Sequence, residues 1–205
     1  MVSIVLPYDK DRGYLQRMII SIKAQTYADI ELIEVHNPFP VAKNFNIGLE
    51  KAKGEFIKVV GEDDWLPNTS IRDSVEGMED HPWICANAFN MVNGTGLLER
   101  PDPETLNLRD MIKRNVIHGG STLYRTEILR EIGGMDETLW TGEEYDMNMH
   151  LMSKGYLPGY INKAVYFYQV SSFQKSTIYR RENLVKREAA LNEIRQRYGD
   201  SNSSV

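Results

Sequence analysis

Along the first 60 residues the hydrophobic pattern switches repeatedly between two periods. Val2 to Leu6 is a short, mostly apolar run closed by Pro7, as expected of a buried strand. Leu15, Met18, Ile19, Ile22 and Ala24 then recur near helical spacing. Ile30 to Val35 alternates apolar with acidic residues and predicts a second strand. Pro38 and Pro40 break the chain. Val41 to Lys53 predicts a second helix, with Gly54 at its C-terminal cap, and Glu55 to Val60 a third strand. Strand, helix, strand, helix, strand in that order is most economically built as parallel strands joined by crossover helices.

The second half is less regular. Trp83 to Val92 predicts a strand ending at the turn signal Asn93-Gly94. Pro103 to Arg114 suits a helix and Val116 to Tyr124 an extended segment. Glu143 to Lys154 predicts an amphipathic helix closed by Gly155, with Met147, Leu151 and Met152 as its apolar set. Tyr160 to Val170 is aromatic and β-branched, a further strand, and Arg180 to Tyr198 predicts a final helix with Leu184, Leu191, Ile194 and Tyr198 along one side. There are no repeats and no linker-like stretch, so the expectation is a single α/β domain.

Composition agrees. The 205 residues are 41% hydrophobic, enough for one sizeable core. With 24 Lys and Arg against 29 Asp and Glu, the net charge is −5, which argues against a nucleic-acid partner. The single cysteine, Cys85, lies among apolar neighbours and reads as a buried structural thiol. Charged residues at Asp9 to Asp11 interrupt the apolar start, and no run approaches the length of a transmembrane helix. The expected location is cytoplasmic. The last helix carries Arg180, Arg181, Lys186, Arg187, Arg195 and Arg197. That face would suit peripheral contact with anionic lipid, although packing against the domain is the preferred reading.

Gly61-Glu62-Asp63-Asp64-Trp65 directly follows the third strand. Consecutive carboxylates raise one another's pKa unless a cation is shared, and the C-terminal edge of an open parallel sheet is where ligands bind. Mn²⁺ or Mg²⁺ takes one or two carboxylates plus substrate phosphates; a solvated acidic turn is the alternative. Glu143, Glu144 and Asp146 open the amphipathic helix. They suit either a general base or acids complementing the helix dipole. His118-Gly119-Gly120-Ser121-Thr122 offers glycines for close backbone approach to a ligand.

These segments, in this order, resemble the family 2 glycosyltransferases of the GT-A fold, from Val2 to about Ser176. Val2 to Tyr8 looks like the family's opening strand and nucleotide loop. Ser21-Ile22-Lys23-Ala24-Gln25-Thr26-Tyr27 resembles its "S-I-x-x-Q-T-Y" helix end. Ala42-Lys43-Asn44 with Gly48 matches "A-R-N-x-G-x", and Lys53 to Ile57 matches the "A-x-G-E-Y-I" lead-in to the DXD segment. Gly133-Gly134-Met135-Asp136 looks like "G-G-F-D", and Glu143-Glu144-Tyr145-Asp146 like "E-D-x-D". The resemblance implies a mostly parallel, Rossmann-like sheet with a mixed acceptor-side half. It divides the chain into a nucleotide-sugar half (about 1–92), an acceptor half (about 93–178) and a C-terminal helix (179–198). It implies metal-dependent, inverting transfer from a nucleotide sugar, UDP-linked by the family's habit, to a hydroxyl of a glycan or glycoconjugate. Glu144 takes the place of the catalytic base, and Asp63 and Asp64 that of the metal site. Pro7, Tyr8, His36, Lys43, Glu62, Asp63, Gly120 and Ser121 fall at donor-binding positions. The chain could equally be one domain of a longer protein.

The sequence departs from the pattern in places. Gly61 replaces the first acid of DXD, which suggests that Glu62 and Asp64, two apart in an extended segment, share its role. His36 and Asn37 stand where the family usually has two aspartates, and Tyr168 to Ser172 lacks the late metal-binding histidine. Two other functions fit the residues less well. One is a nucleotide-sugar-binding module without catalysis. The other is a nucleotidyltransferase, which would need a glycine-rich, basic loop where Pro7 to Asp11 stands.

Overall fold

The computed structural model describes residues 1–170 and 184–199. A seven-stranded mixed sheet runs through the molecule in the order β2 (Ile30–His36), β1 (Val2–Tyr8), β3 (Phe56–Val59), β6 (Leu123–Arg125), β4 (Trp83–Val92), β5 (Thr95–Glu99), with β7 (Gly159–Val170) also paired to β4. β1 lies parallel to both β2 and β3. The crossovers are α1 (Leu15–Lys23) and α2 (Val41–Lys51). This half is the parallel unit predicted from the pattern. β6 is antiparallel to β3 and β4, and β4 is antiparallel to β5 and parallel to β7. The second half is therefore mixed, as expected.

Alternate strand residues supply two cores, one on each face of the sheet. Ile4, Leu6, Phe56 and Ile84 pack with Leu15, Met18 and Ile22 of α1 and Ile71 of α3 (Ser70–Glu76). Val5, Ile57, Val59 and Cys85 pack with Phe45 and Leu49 of α2, Met111 of α4 (Leu108–Lys113) and Leu129 of α5 (Thr126–Glu131). The same core takes in α6 (Glu143–Ser153) and α7 (Leu184–Gly199). Cys85 is fully buried, as predicted, and burial pushes its thiol up to about 12.

Several elements differ from expectation. α2 ends at Lys51 with Ala52 as its cap. Gly54 serves instead for close approach, since a Cβ there would lie 2.6 Å from the Ser3 backbone nitrogen. Asn93 and Gly94 take left-handed backbone and return the chain as β5, which was not foreseen. Pro103 to Arg114 breaks into a 3-10 turn (Pro103–Thr105) and α4. Val116 to Tyr124 holds a second 3-10 turn (Gly119–Ser121) before the short β6. α3 and α5 carried too few periodic residues to be read. α6 is not amphipathic: Tyr145, Asp146, Asn148 and Met149 are buried along with the predicted apolar set. The helix is covered on both sides, by α4 through the Tyr145 hydroxyl donating to the Met111 carbonyl and by α7 through Asp146. Arg180 to Asn183 of the predicted last helix lie outside the described residues.

Candidate active site

Beyond β3 the chain turns sharply, with the Asp64 N–H donating to the Gly61 carbonyl at 3.4 Å. It then pairs with β7 through reciprocal hydrogen bonds between Trp65 and Phe167. That bridge sets Asp64 against β7. The Tyr166 hydroxyl donates to Asp64 Oδ2 at 2.6 Å, and the Gln169 N–H donates to Oδ1 at 2.8 Å. Asp64 is only 3% exposed; burial and the neighbouring Asp63 push its carboxyl up to about 8. Gly61 explains itself here. A Cβ at this position would lie 2.6 Å from Asp64 Oδ2 and 3.3 Å from Asp63 Oδ1, so the missing side chain makes room for two converging carboxylates.

Glu62 does not join them. Because the segment turns rather than extends, Glu62 points to Arg12, with which it forms an ion pair, and the expected sharing between Glu62 and Asp64 does not occur. Glu62 Oε2 is buried without a hydrogen-bond partner. Burial raises the Glu62 pKa despite Arg12.

No group of three or more His, Cys, Asp or Glu side chains gathers as a metal cluster among the described residues. The acidic turn offers the two carboxylates of Asp63 and Asp64. That donor set suits a hard divalent ion whose remaining positions are filled by water and phosphate oxygens.

A third carboxylate lies nearby in the fold. α6 starts at Gly142, whose φ of +80° admits the chain sharply into the helix. Glu144, in the first turn, rests on the Gly119–Ser121 turn, where a Cβ at Gly119 would come within 2.5 Å of both its oxygens. Burial, then Glu143, push the Glu144 carboxyl up to about 7, against the opposing pull of Lys58. A Cβ at Gly120 would collide with the Tyr166 ring, the same ring whose hydroxyl holds Asp64. The glycine pair thus seats the Glu144 carboxylate and the tyrosine that carries Asp64. Ser121 is fully buried and its hydroxyl donates to the His118 carbonyl at 2.7 Å. That bond closes the turn on itself.

At the other end, Pro7 and Tyr8 finish β1 beside Val35 and His36 at the end of β2. The Tyr8 and His36 rings stack with centroids 4.7 Å apart and 10° between planes. The Tyr8 hydroxyl leans to Glu34 at 3.4 Å, and His36 Nε2 lies 3.1 Å from the Asp9 carbonyl. Lys43, in the first turn of α2, places its ammonium 4.3 Å above the Phe39 ring.

Sequence reading missed Arg17, Tyr166 and Lys58. Arg17 lies over Trp65 at 4.1 Å and donates to the Asp63 carbonyl, which braces the acidic turn. Lys58 was detectable as a lone charge inside the apolar run Phe56 to Val60. The others sit in segments whose pattern gives no hint of what they face.

No family model matches the chain. It is 25% identical over 183 residues to an uncharacterized glycosyltransferase of Rickettsia felis, an alignment covering 72% of this chain and 30% of that protein. An uncharacterized glycosyltransferase of Rickettsia bellii is also 25% identical, with 72% and 26% covered. The chain thus spans less than a third of the length of the curated relatives it matches. Among solved structures, S. aureus TarS residues 1–349 in complex with UDP-GlcNAc superposes with a TM-score of 0.65 at 17% identity, over 84% of this chain and 59% of that one. The mannosyltransferase PcManGT of Pyrobaculum calidifontis, in complex with GDP-Man and Mn²⁺, gives 0.65 at 13% identity, over 93% and 62%. In fold, the chain is glycosyltransferase-like. Its sheet and flanking helices are shared with proteins solved with nucleotide sugars bound.

Proposed function

We propose that the chain is a nucleotide-sugar-dependent glycosyltransferase of the family 2, GT-A kind, moving a sugar with inversion to an acceptor hydroxyl. One observation carries the reading: Tyr166 joins two carboxylate groups of different character. Its hydroxyl holds Asp64 beside Asp63 at the C-terminal end of β3, and its ring fills the space at Gly120, next to the residue on which Glu144 rests. Glycosyl transfer by direct displacement needs such a division. Charge must be stabilised at the departing diphosphate, and a proton must be removed from the attacking hydroxyl.

In this reading Asp63 and Asp64 hold Mn²⁺ or Mg²⁺. When bound, the ion supplies electrostatic stabilisation of the leaving diphosphate, worth several kcal/mol. The nucleotide lies along the ends of β1 and β2, its base against the Tyr8–His36 platform and Lys43 near the ribose or phosphates. Glu144 accepts the acceptor hydroxyl's proton as the acceptor oxygen bonds to the anomeric carbon and the bond from that carbon to the diphosphate breaks. A single displacement of this kind inverts the anomeric centre. A pKa near 7 suits a general base at neutral pH. UDP is the proposed carrier, because His36 can exchange hydrogen bonds with a uracil edge and TarS is solved with UDP-GlcNAc. The acceptor is a glycan or glycoconjugate.

The test is a thermal-shift and product assay with UDP-, GDP- and dTDP-sugars, with and without Mn²⁺, on the wild-type chain and on Glu144→Gln. Specific donor binding raises the melting temperature. The reading predicts a Mn²⁺-dependent shift and UDP release that is lowered about 10²–10⁴-fold in Glu144→Gln with the shift retained. It fails if no nucleotide sugar shifts the protein, or if Glu144→Gln releases product at the wild-type rate.

A further inference from the structure

Lys58 sits in β3, at the centre of the sheet, with no exposed surface. Its ammonium donates to the Gly120 carbonyl at 2.6 Å and the Thr122 carbonyl at 3.0 Å, and lies 5.6 Å from the centre of the Tyr166 ring. It forms no ion pair at contact distance in the described structure. A buried charge of this kind is costly, and a methionine would fill the same volume at less cost. The cation is placed where it does something specific. One of these carbonyls lies within the Gly119–Ser121 turn on which the Glu144 carboxylate rests, and the other belongs to Thr122, the residue that closes that turn.

We propose that Lys58 is a positioning residue for Glu144: it fastens the Gly119–Ser121 turn under the carboxylate and sets its positive charge toward it. The proposal rests on the reading of Glu144 as the base. The groups facing Glu144 are Glu143 on its own helix, Lys58 of β3, Tyr124 of β6 and Tyr166 of β7. Burial raises both tyrosines, so they stay neutral, and Glu143 disfavours ionisation of its neighbour. Lys58 is thus the cation that counters Glu143 and favours the ionised, proton-accepting form. The coupling is reciprocal: burial pulls the Lys58 amine down to about 7, against the opposing pull of Glu144, which favours the protonated form.

Two measurements decide the matter. In Lys58→Met, Glu144 should hold its proton to higher pH, so the acidic limb of the kcat profile should move up by about one unit. That is about a tenfold loss of kcat on the acidic side, with the donor KM little changed. For a residue that merely fills the core, Lys58→Met would leave the limb where it is, whatever happens to stability. The second measurement keeps Lys58 in place and so does not depend on that variant folding. The Lys58 amine is titrated by isotope-edited NMR in the wild type and in Glu144→Gln, where it should lose its proton at lower pH. An unmoved limb in folded Lys58→Met, or an unmoved Lys58 titration in Glu144→Gln, overturns the proposal. If Glu144→Gln transfers sugar at the wild-type rate, the base assignment itself fails and the proposal falls with it. If that variant is inactive while limb and titration stay put, the base stands and only the role of Lys58 is lost.

Discussion

The Glu144 carboxylate occupies the space that any side chain at Gly119 would need. Gly119 is not among the residues with positive φ, so its backbone accepts alanine and the cost of Gly119→Ala is the collision alone. The methyl group should push the carboxylate off its seat. A displacement near 1 Å costs about 10²-fold in rate, so transfer should fall by about that factor while UDP-sugar binding, read by thermal shift, persists. Wild-type turnover in Gly119→Ala would mean that the carboxylate does not work from this position.

The raised pKa of Glu144 fixes the sign of the pH dependence. A base acts when ionised, and burial holds this carboxyl protonated up to about 7. The kcat/KM for transfer should therefore climb as pH rises through about 7 and fall below it. In Glu144→Gln the residual rate should be flat across that range. A wild-type profile that is level from about pH 5 to 8 would assign the proton transfer to another group.

Gly61→Asp would restore the acid that the family pattern places there, yet it should weaken metal binding. Its Cβ would meet Asp64 Oδ2 at 2.6 Å and Asp63 Oδ1 at 3.3 Å, and its charge would add repulsion. Calorimetry with Mn²⁺ and UDP should show at least about a tenfold loss of affinity, about 1.4 kcal/mol. Tighter binding would show that the carboxylates do not converge as described.

The Tyr8–His36 stack makes a test of base recognition. Aromatic stacking contributes about 0.5–1.5 kcal/mol, so His36→Ala should weaken UDP binding by about threefold to tenfold. His36→Phe should recover the stacking part but not the hydrogen bond to the base. Competition between UDP and GDP in the three proteins separates the two contributions.

α7 meets the domain through both apolar burial and ion pairs. Ile194 is fully buried against Gly142, while the Arg197 side chain that pairs with Asp136 and Asp146 is 42% exposed. Ile194→Ala should cost about 2–5 kcal/mol of stability and Arg197→Ala under about 1 kcal/mol, measured by urea denaturation. The reverse order would make the ion pairs the main tether. Ala190, Leu191 and Ile194 of this helix are turned to the domain.

The sequence by itself determined the parallel half of the sheet, the strand ends that carry Tyr8, His36 and Asp63, and the helix that carries Glu144. These follow from local period and from turn residues, which act over a few positions. It also marked Gly61 as a departure from the acidic pattern and Gly119 and Gly120 as room for close approach, without showing which side chains come there. Only the tertiary structure decided that. Gly61 is small because Asp64 folds back over it toward Tyr166, 102 residues away in sequence. Gly119 and Gly120 are small because Glu144 and Tyr166 arrive there from α6 and β7. The same holds for Asp146, which the sequence left open between a base and an acid complementing the helix dipole and which faces Arg197 and Tyr198 of α7. Such contacts depend on how the layers close on each other. A side chain's partner across the sheet leaves no mark in the residues beside it.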